Sequence, residues 1–258
     1  MKPKSLVILC LWLGFLAIPL ASQGQSGCDG VRTIAKCPVT GCAEDPQSAE
    51  GLLNRLKNRQ ARGARPKQLT FADFQKLQEQ ADDLVGQQVH LKLERADRDK
   101  LRNLRVSNGV VAEGSFVKVV GFIASRPAPP HATSKESVNC RLTGQVNNDF
   151  HISIVERAGA TEFDGVVVEM IPQPRPAGWT VPKLKKVGPR KVLITGSLLY
   201  DNEHVVNANR RKPIGGQPKR FSLWEIHPVK DFFVCIRANN ACNENQSKEW
   251  TKLVDFQP

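Results

Sequence analysis

Five segments with the residue pattern of β-strands follow one another in the second half of the chain. The first, Phe116–Ile123, is apolar and β-branched with Gly121 inside it, as in a bulged or coiled strand. The other four are predicted within 138–155 and at 163–171, 191–200 and 222–236, the last kinked at Pro228. Five strands with a proline-rich crossover between the third and the fourth favour a mainly β chain folded as a small closed barrel. The five-stranded oligonucleotide/oligosaccharide-binding (OB) barrel fits best, and a β-sandwich is the alternative, because the number of strands alone does not separate the two.

The chain before residue 110 carries the periodicity of helices instead. Ser48 precedes leucines at the spacings expected on one face of a short capped helix. Thr70, with Asp73 three residues later, predicts a capping box at the start of a second helix. The apolar positions of that helix are Phe71, Phe74, Leu77 and Ala81.

The change of pattern near residue 110 divides the chain into two parts. A strand is predicted at 89–93, and the charged run 94–105 is predicted to be a solvated connection or a helix. We therefore expect a helical, disulfide-bonded N-terminal extension at 25–109 and an OB-like β-barrel domain at 110–258.

Residues 1–24 have the pattern of a secretory signal peptide. Lys2 and Lys4 form a charged start, 6–20 is an unbroken apolar run, and small residues follow it. The apolar run is shorter than the roughly 20 residues that span a bilayer, so no integral membrane association is expected. We expect a secreted or periplasmic protein. Lipidation at Cys28 is the alternative, but this cysteine lies beyond the apolar run.

Six cysteines remain once Cys10, which lies in the predicted signal peptide, is set aside. They are Cys28, Cys37, Cys42, Cys140, Cys235 and Cys242. An even number of cysteines in an oxidising compartment predicts three disulfides. Cys37 with Cys42, and Cys235 with Cys242, are close enough in sequence for local bridges. A structural zinc site is the alternative, although the spacing between Cys37 and Cys42 matches the usual ligand spacing poorly.

Four strings of residues carry a resemblance to other proteins. They are LNRLKNR at 53–59, SVNCRLTG at 137–144, NNDFHI at 147–152 and SLWEIHPV at 222–229. Together they resemble a family of uncharacterised secreted bacterial proteins, and the resemblance covers most of the mature chain. It implies an extracytoplasmic compartment and a barrel-like core, but it implies no activity and no catalytic residue.

Three of the five histidines stand beside a carboxylate, in Asp149-x-His151, Asp201-x-x-His204 and Glu225-x-His227. Residues two apart on a strand share a face, so each strand pair could present two ligands to one side of the barrel. The predicted metal ligands are Asp149, His151, His204, Glu225 and His227. Imidazole with carboxylate suits zinc, iron or manganese, and such a divalent metal could activate water. In the alternative interpretation, each carboxylate is only a hydrogen-bond partner that fixes a histidine.

Positive charge is the second pattern. Basic residues exceed acidic ones by 12, and removal of the signal peptide, with two lysines and no acid, lowers the excess to 10. The predicted polyanion-binding residues are Lys183, Lys185, Lys186, Arg190, Arg210, Arg211, Lys212, Lys219 and Arg220. Part of this set falls in the loop between strands four and five, which helps line the binding face of an OB barrel. The alternative is a solvated surface that keeps the protein soluble.

These patterns leave two functions open. The first is a secreted, non-enzymatic module that binds nucleic acid or an anionic polysaccharide. A single tyrosine and 6% aromatic residues leave few platforms for stacked bases. The second is a metal-dependent, phosphodiesterase-like hydrolase that uses the His/carboxylate residues. The sequence contains no Gly-x-Ser-x-Gly elbow and no complete catalytic motif.

Overall fold

A computed structural model describes residues 27–86, 93–124, 135–173, 175–204, 206 and 220–257. The predicted signal peptide lies outside the described residues, and so does the strand predicted at 89–93 except for its last residue. Four residues of the predicted polyanion-binding set also lie outside them, namely Arg210, Arg211, Lys212 and Lys219.

The described part of the chain contains four α-helices and nine strands, with short 3-10 helices between them. The helices are α1 (Ala49–Lys57), α2 (Phe71–Val85), α3 (Arg95–Lys100) and α4 (Val181–Val187). The strands are β1 (Lys67–Gln68), β2 (Leu104–Val106), β3 (Gly109–Val111), β4 (Phe116–Ile123), β5 (Phe150–Val155), β6 (Val166–Met170), β7 (Lys191–Tyr200), β8 (Trp224–Cys235) and β9 (Trp250–Lys252).

Strands β4 to β8 close into a five-stranded barrel. β4 pairs with β5 on one side and with β7 on the other, both antiparallel. β5 pairs with β6 antiparallel, β6 with β8 parallel, and β8 with β7 antiparallel. The order β4-β5-β6-β8-β7, returning to β4, with α4 between β6 and β7, is the OB topology. The predicted OB-like barrel is therefore confirmed, and the sandwich alternative is wrong.

The bounds of β4 and β7 agree with the sequence pattern, whereas β5 is shorter than the segment 138–155. The part of this segment before Phe150 forms 3-10 helices and turns, and the side chains of Asn148 and Arg175 satisfy backbone carbonyls there. Asn148 Nδ2 donates to the carbonyls of Leu142 and Gly144, at 3.2 and 2.8 Å, and Arg175 Nη2 donates to that of Gln145 at 2.7 Å. The chain reaches the barrel only at Phe150.

The barrel core is built from alternate residues of its strands. On β5, β6 and β8 these are Phe150, Ile152, Ile154, Val166, Val168, Met170, Trp224 and Ile226. The intervening residues of the same three strands therefore face away from that core.

The N-terminal extension packs on the barrel. The side chain of Ser48 caps α1 by accepting from Gly51 N at 3.2 Å, and the capping box of Thr70 and Asp73 starts α2. Phe74 and Leu77 of α2 belong to the same apolar core as the barrel strands. The indole N–H of Trp224 donates to the Leu77 carbonyl at 2.9 Å. Extension and barrel thus share one core.

The charged run 94–105 contains helix α3, and it is not wholly solvated. Arg98 of this helix is buried and its Nη1 lies 2.5 Å from Glu113 Oε1. Glu113 also accepts from the backbone N–H of Tyr200 at 3.1 Å, at the end of β7. This ion pair attaches α3 to the rim of the barrel.

Three disulfides join Cys28 to Cys42, Cys37 to Cys140, and Cys235 to Cys242. The prediction of three bridges and of the local Cys235–Cys242 pair is confirmed, but the local pairing of Cys37 with Cys42 is wrong. The backbone N–H of Cys42 donates to the Ser137 carbonyl at 2.9 Å, which docks the cysteine-rich loop beside Cys140. Docking brings Cys37 to a partner 103 residues away.

Within the described ranges, no helix has the length and apolar character needed to cross a membrane.

Candidate functional site

The outward-facing residues of β5, β6 and β8 form a cluster of ionisable side chains. His151 on β5 stands opposite Glu169 on β6 in the strand register. Glu225 and His227 lie on the neighbouring strand β8, where Ile226 is paired with Val168. In OB folds, the outer face of the second and third strands and its flanking loops bind ligands. The cluster occupies this face.

Glu169 connects the histidines of two strands. Its Oε1 lies 2.7 Å from His151 Nε2, and its Oε2 lies 3.1 Å from His227 Nδ1. His227 Nδ1 is also 3.1 Å from Glu225 Oε1. The structure therefore brings together His151, Glu225 and His227 through a residue that the sequence analysis missed. The available signal was a lone carboxylate in the otherwise apolar strand VVVEM.

Cations from outside the strands surround the cluster. Arg220 Nη1 lies 2.8 Å from Glu225 Oε2. Lys57, the last residue of α1, places its Nζ 2.9 Å from Asp201 Oδ2 and 3.0 Å from Glu203 Oε2. Lys57 is buried, and nothing in its sequence context marked it as part of the site. The extension is thus part of the site.

Asp149 lies just before β5 and is 1% exposed. Its Oδ1 accepts from Asn139 Nδ2 at 3.3 Å, whereas its Oδ2 has no hydrogen-bond partner among the described residues. His227 Nε2 is likewise buried without such a partner. Asp149, Glu169 and His227 each offer a ligand atom within 4.8 Å of the other two. This group is the part of the predicted metal set that converges.

His204 stands at the edge of the cluster. Its Nε2 is 3.7 Å from Asp201 Oδ2, and its side chain is 42% exposed. The Arg220 guanidinium lowers the pKa of His204, with burial acting in the same direction, and solvent screens part of the effect. At neutral pH the imidazole of His204 is uncharged.

The opposite shift occurs at His151. Burial alone would lower its pKa, but the Glu169 carboxylate outweighs burial and raises the pKa to about 9. Glu169 itself is held well below its usual pKa by His151 and His227, against the effect of burial. His151 is therefore an imidazolium at neutral pH, paired with an ionised carboxylate.

The pKa values of the other carboxyl groups show that the cluster concentrates negative charge. Burial, then the charge of Glu169, raises the pKa of Asp149 to about 7. The same two causes raise the pKa of Glu225. Asp201 behaves differently, because Lys57 holds its pKa well below the ordinary value in spite of burial. A cation near Asp149 and Glu169 would be stabilised by this excess.

A cleft of about 200 Å³ opens beside the cluster. It is lined by Asn54, Lys57, Glu136, Ser137, Val138, His151, Glu203 and His204. The side chain of His151 is 12% exposed, whereas those of Glu169 and His227 are 2% and 0% exposed. The cleft therefore reaches His151 first, and the group formed with Asp149 lies behind it.

The described members of the predicted polyanion-binding set lie in two separate places. Lys183, Lys185 and Lys186 are on α4, and Arg190 follows it. They lie at the start of β7, while Arg220 lies beyond its other end. Arg220 is 7% exposed and paired with Glu225, so it belongs to the cluster and not to an exposed basic face.

Comparisons with known proteins found no similar protein. No protein-family model matches this chain, and neither the curated proteins nor the solved structures contain a significant match to it.

Proposed function

We propose that the protein is a hydrolase that cleaves a phosphodiester or related anionic ester in the cleft beside His151, with a divalent metal ion bound behind it. The observation that carries the proposal is the cleft itself. It brings Lys57 together with His151 and His204, which lie 94 residues or more after Lys57 in the chain. Two histidines and an ammonium group at one cleft can supply a proton donor, a proton acceptor and a positive charge.

The cleft residues have distinct roles in this proposal. His151, whose Nε2 lies 2.7 Å from Glu169 Oε1, can give a proton to the leaving-group oxygen. His204 is uncharged and can accept a proton from the attacking water. The Lys57 ammonium, held in place by Asp201 and Glu203, offers positive charge to the anionic substrate.

The buried group behind His151 has the donors of a metal site. Asp149, Glu169 and His227 would supply two carboxylates and one imidazole, which suit zinc or manganese. The unpartnered Asp149 Oδ2 and His227 Nε2 support this assignment, because buried polar atoms rarely lack a partner. Glu225 holds the other ring nitrogen of His227, as carboxylates do for metal-binding histidines. A bound metal ion would lower the pKa of a water molecule and polarise a phosphoryl oxygen.

The size of the cleft favours a hydrolase with a small substrate over a module that binds a long polymer. Asn54 of α1 lines the same cleft as His151, and it donates to the Thr40 carbonyl at 2.9 Å and to Ser137 Oγ at 3.0 Å. The Cys37–Cys140 disulfide links the loops that carry Thr40 and Ser137. A cleft of about 200 Å³ fits a small anionic ester better than a polymer.

The test begins with metal analysis of purified protein and hydrolysis of bis(p-nitrophenyl) phosphate. His151→Gln and His204→Gln should each lower kcat by about 100-fold or more, since general acid–base catalysis contributes that much. Asp149→Asn should lower the metal content, and a chelator should abolish turnover. Asp231→Asn is the matched control, because this carboxylate lies on β8 outside the cluster and pairs with Thr195.

Two results would contradict the proposal. One is wild-type protein that hydrolyses no phosphodiester with zinc or manganese added. The other is a folded His151→Gln variant with wild-type turnover.

Polyanion binding remains a second candidate, and one observation favours it. The basic segment that contains Arg210, Arg211 and Lys212 is joined on both sides to residues of the cluster, namely His204 and Arg220. If the three residues contact phosphates, their joint replacement should lower the salt slope of single-strand binding by about 2. An unchanged slope would assign them to solubility.

Export through a signal peptide is part of the proposal, as is the resemblance to secreted bacterial proteins. The three disulfides support it, because disulfides persist in oxidising compartments. Mass spectrometry of exported protein should give a chain that starts near residue 25, and a cytoplasmic protein with reduced thiols would contradict it.

A further inference from the structure

A second cavity, of about 410 Å³, lies where β7 begins and β8 ends. Its lining consists of Lys186, Val187, Pro189, Arg190, Arg237, Ala238, Asn239 and Asn240. Every charged residue in this lining is basic. The cavity adjoins the start of β7, whereas His204 of the cleft follows the end of this strand, so the two sites are separate.

The walls of the cavity are fixed to one another. The Cys235–Cys242 disulfide closes the loop that carries Arg237. Asn240 Oδ1 accepts from the Lys191 backbone N–H at 2.8 Å, and Asn240 Nδ2 donates to the Pro189 carbonyl at 3.1 Å. A ligand would therefore meet a preorganised cavity, which lowers the entropic cost of binding.

The cations are available to a ligand to different degrees. Lys186 is exposed and forms no ion pair within the described part of the chain. Arg237 is 62% exposed, and its Nε is 3.8 Å from Glu249 Oε1, at the limit of an ion pair. Arg190 donates to the Cys235 carbonyl at 3.2 Å and is half-buried. Lys186 and Arg237 are thus the two cations that can turn to an anion.

We propose that this cavity binds an anionic group of an acidic oligosaccharide. Two cations facing one cavity without a carboxylate in its lining provide the charge. The amide side chain of Asn239, which also lines the cavity, can pair with sugar hydroxyls. No aromatic ring lines the cavity, which disfavours a nucleic acid, because its unpaired bases bind by stacking.

Lys186 and its neighbour Lys185 provide a matched test. Both are exposed on α4, but only Lys186 lines the cavity. Calorimetric titration with a heparin-derived tetrasaccharide at low salt should show binding to the full mature protein. Lys186→Gln and Arg237→Gln should each weaken it about fivefold or more, while Lys185→Gln should change it less than twofold.

Several outcomes would overturn the inference. The wild-type protein could fail to bind the tetrasaccharide, or both cavity variants could bind it as tightly as the wild type. Lys185→Gln could also weaken binding as much as Lys186→Gln. Tighter binding of a ten-nucleotide oligo(dT), reduced by the cavity variants, would assign the cavity to nucleic acid instead. Because both side chains are exposed, unfolding midpoints of the variants should match the wild type, which separates lost binding from lost structure.

Discussion

Replacing Lys57 by methionine should destabilise the protein by about 3–5 kcal/mol at pH 7. The ammonium of Lys57 lies 2.9 Å from Asp201 Oδ2, and the Asp201 side chain has no exposed surface. Methionine keeps the length and apolar stem of lysine but leaves the Asp201 carboxylate buried without its nearest cation. Removal of one partner from a buried pair costs more than removal of both.

The magnitude can be bounded from the geometry in two ways. Two unit charges at 2.9 Å attract by about 6 kcal/mol at an effective dielectric constant near 20. The variant no longer buries an ammonium, so the net loss is smaller than this attraction. Protonation of Asp201 sets a second limit, because adding a proton at pH 7 to a carboxyl of ordinary pKa near 3.9 costs about 4 kcal/mol. The loss should therefore shrink toward pH 4.

Urea unfolding followed by circular dichroism at pH 7 and pH 4 measures this loss. Lys100→Met is the matched control, since Lys100 pairs with Asp97 at 2.7 Å, but Lys100 is exposed and Asp97 is only half-buried. It should cost at most about 0.5 kcal/mol. Lys57→Met combined with Asp201→Asn should recover part of the loss. If Lys57→Met costs no more than the control at pH 7, the electrostatic account of the cluster is wrong.

Three further changes test the fold and the site. The pKa of His151 is raised in the folded state. The stabilisation that the charged His151 gives to the fold is therefore complete below pH 6.5 and is lost as pH rises through about 9. The free energy of unfolding should fall by roughly 3 kcal/mol over that interval, and urea titrations of His151→Gln should give a flatter curve. Replacing Cys37 and Cys140 by alanines should lower the free energy of unfolding by about 4–5 kcal/mol, against about 2–3 kcal/mol for Cys235 and Cys242, because the Cys37–Cys140 disulfide closes the longer loop. Thermal unfolding of the two double variants measures the difference. Thr70→Ala should cost about 1 kcal/mol in urea unfolding, through loss of the cap on α2, and an unchanged midpoint would refute that role.

Local patterns were sufficient to predict four of the five barrel strands and the starts of α1 and α2. Alternation of apolar residues placed β4 and β7, and the Thr70–Asp73 spacing placed the start of α2. These signals depend on residues within a few positions of one another. The strand that begins at Phe150 was predicted too long, because side-chain bonds to backbone carbonyls replaced the sheet in the preceding turns.

Only the members of the cluster that lie close together in the sequence could be predicted, because the patterns relate residues a few positions apart. The spacing of Asp149 with His151, and of Glu225 with His227, is visible within a strand. The contribution of Glu169 depends on which strands pair, and that of Lys57 depends on how α1 docks. The wrong pairing of Cys37 has this cause as well, since its partner is selected by docking of distant loops.

The position of Lys57 also changes the meaning of the boundary near residue 110. A barrel alone would leave Asp201 without the Lys57 ammonium, and it would leave the cleft without the side formed by Asn54 and Lys57. The proposed hydrolase site therefore needs both parts of the chain, and it is complete only after α1 has docked. Two of the 37 basic residues of the sequence, Lys57 and Arg220, are buried against carboxylates. Charge that composition assigns to the surface is in part the counterion of an acidic interior.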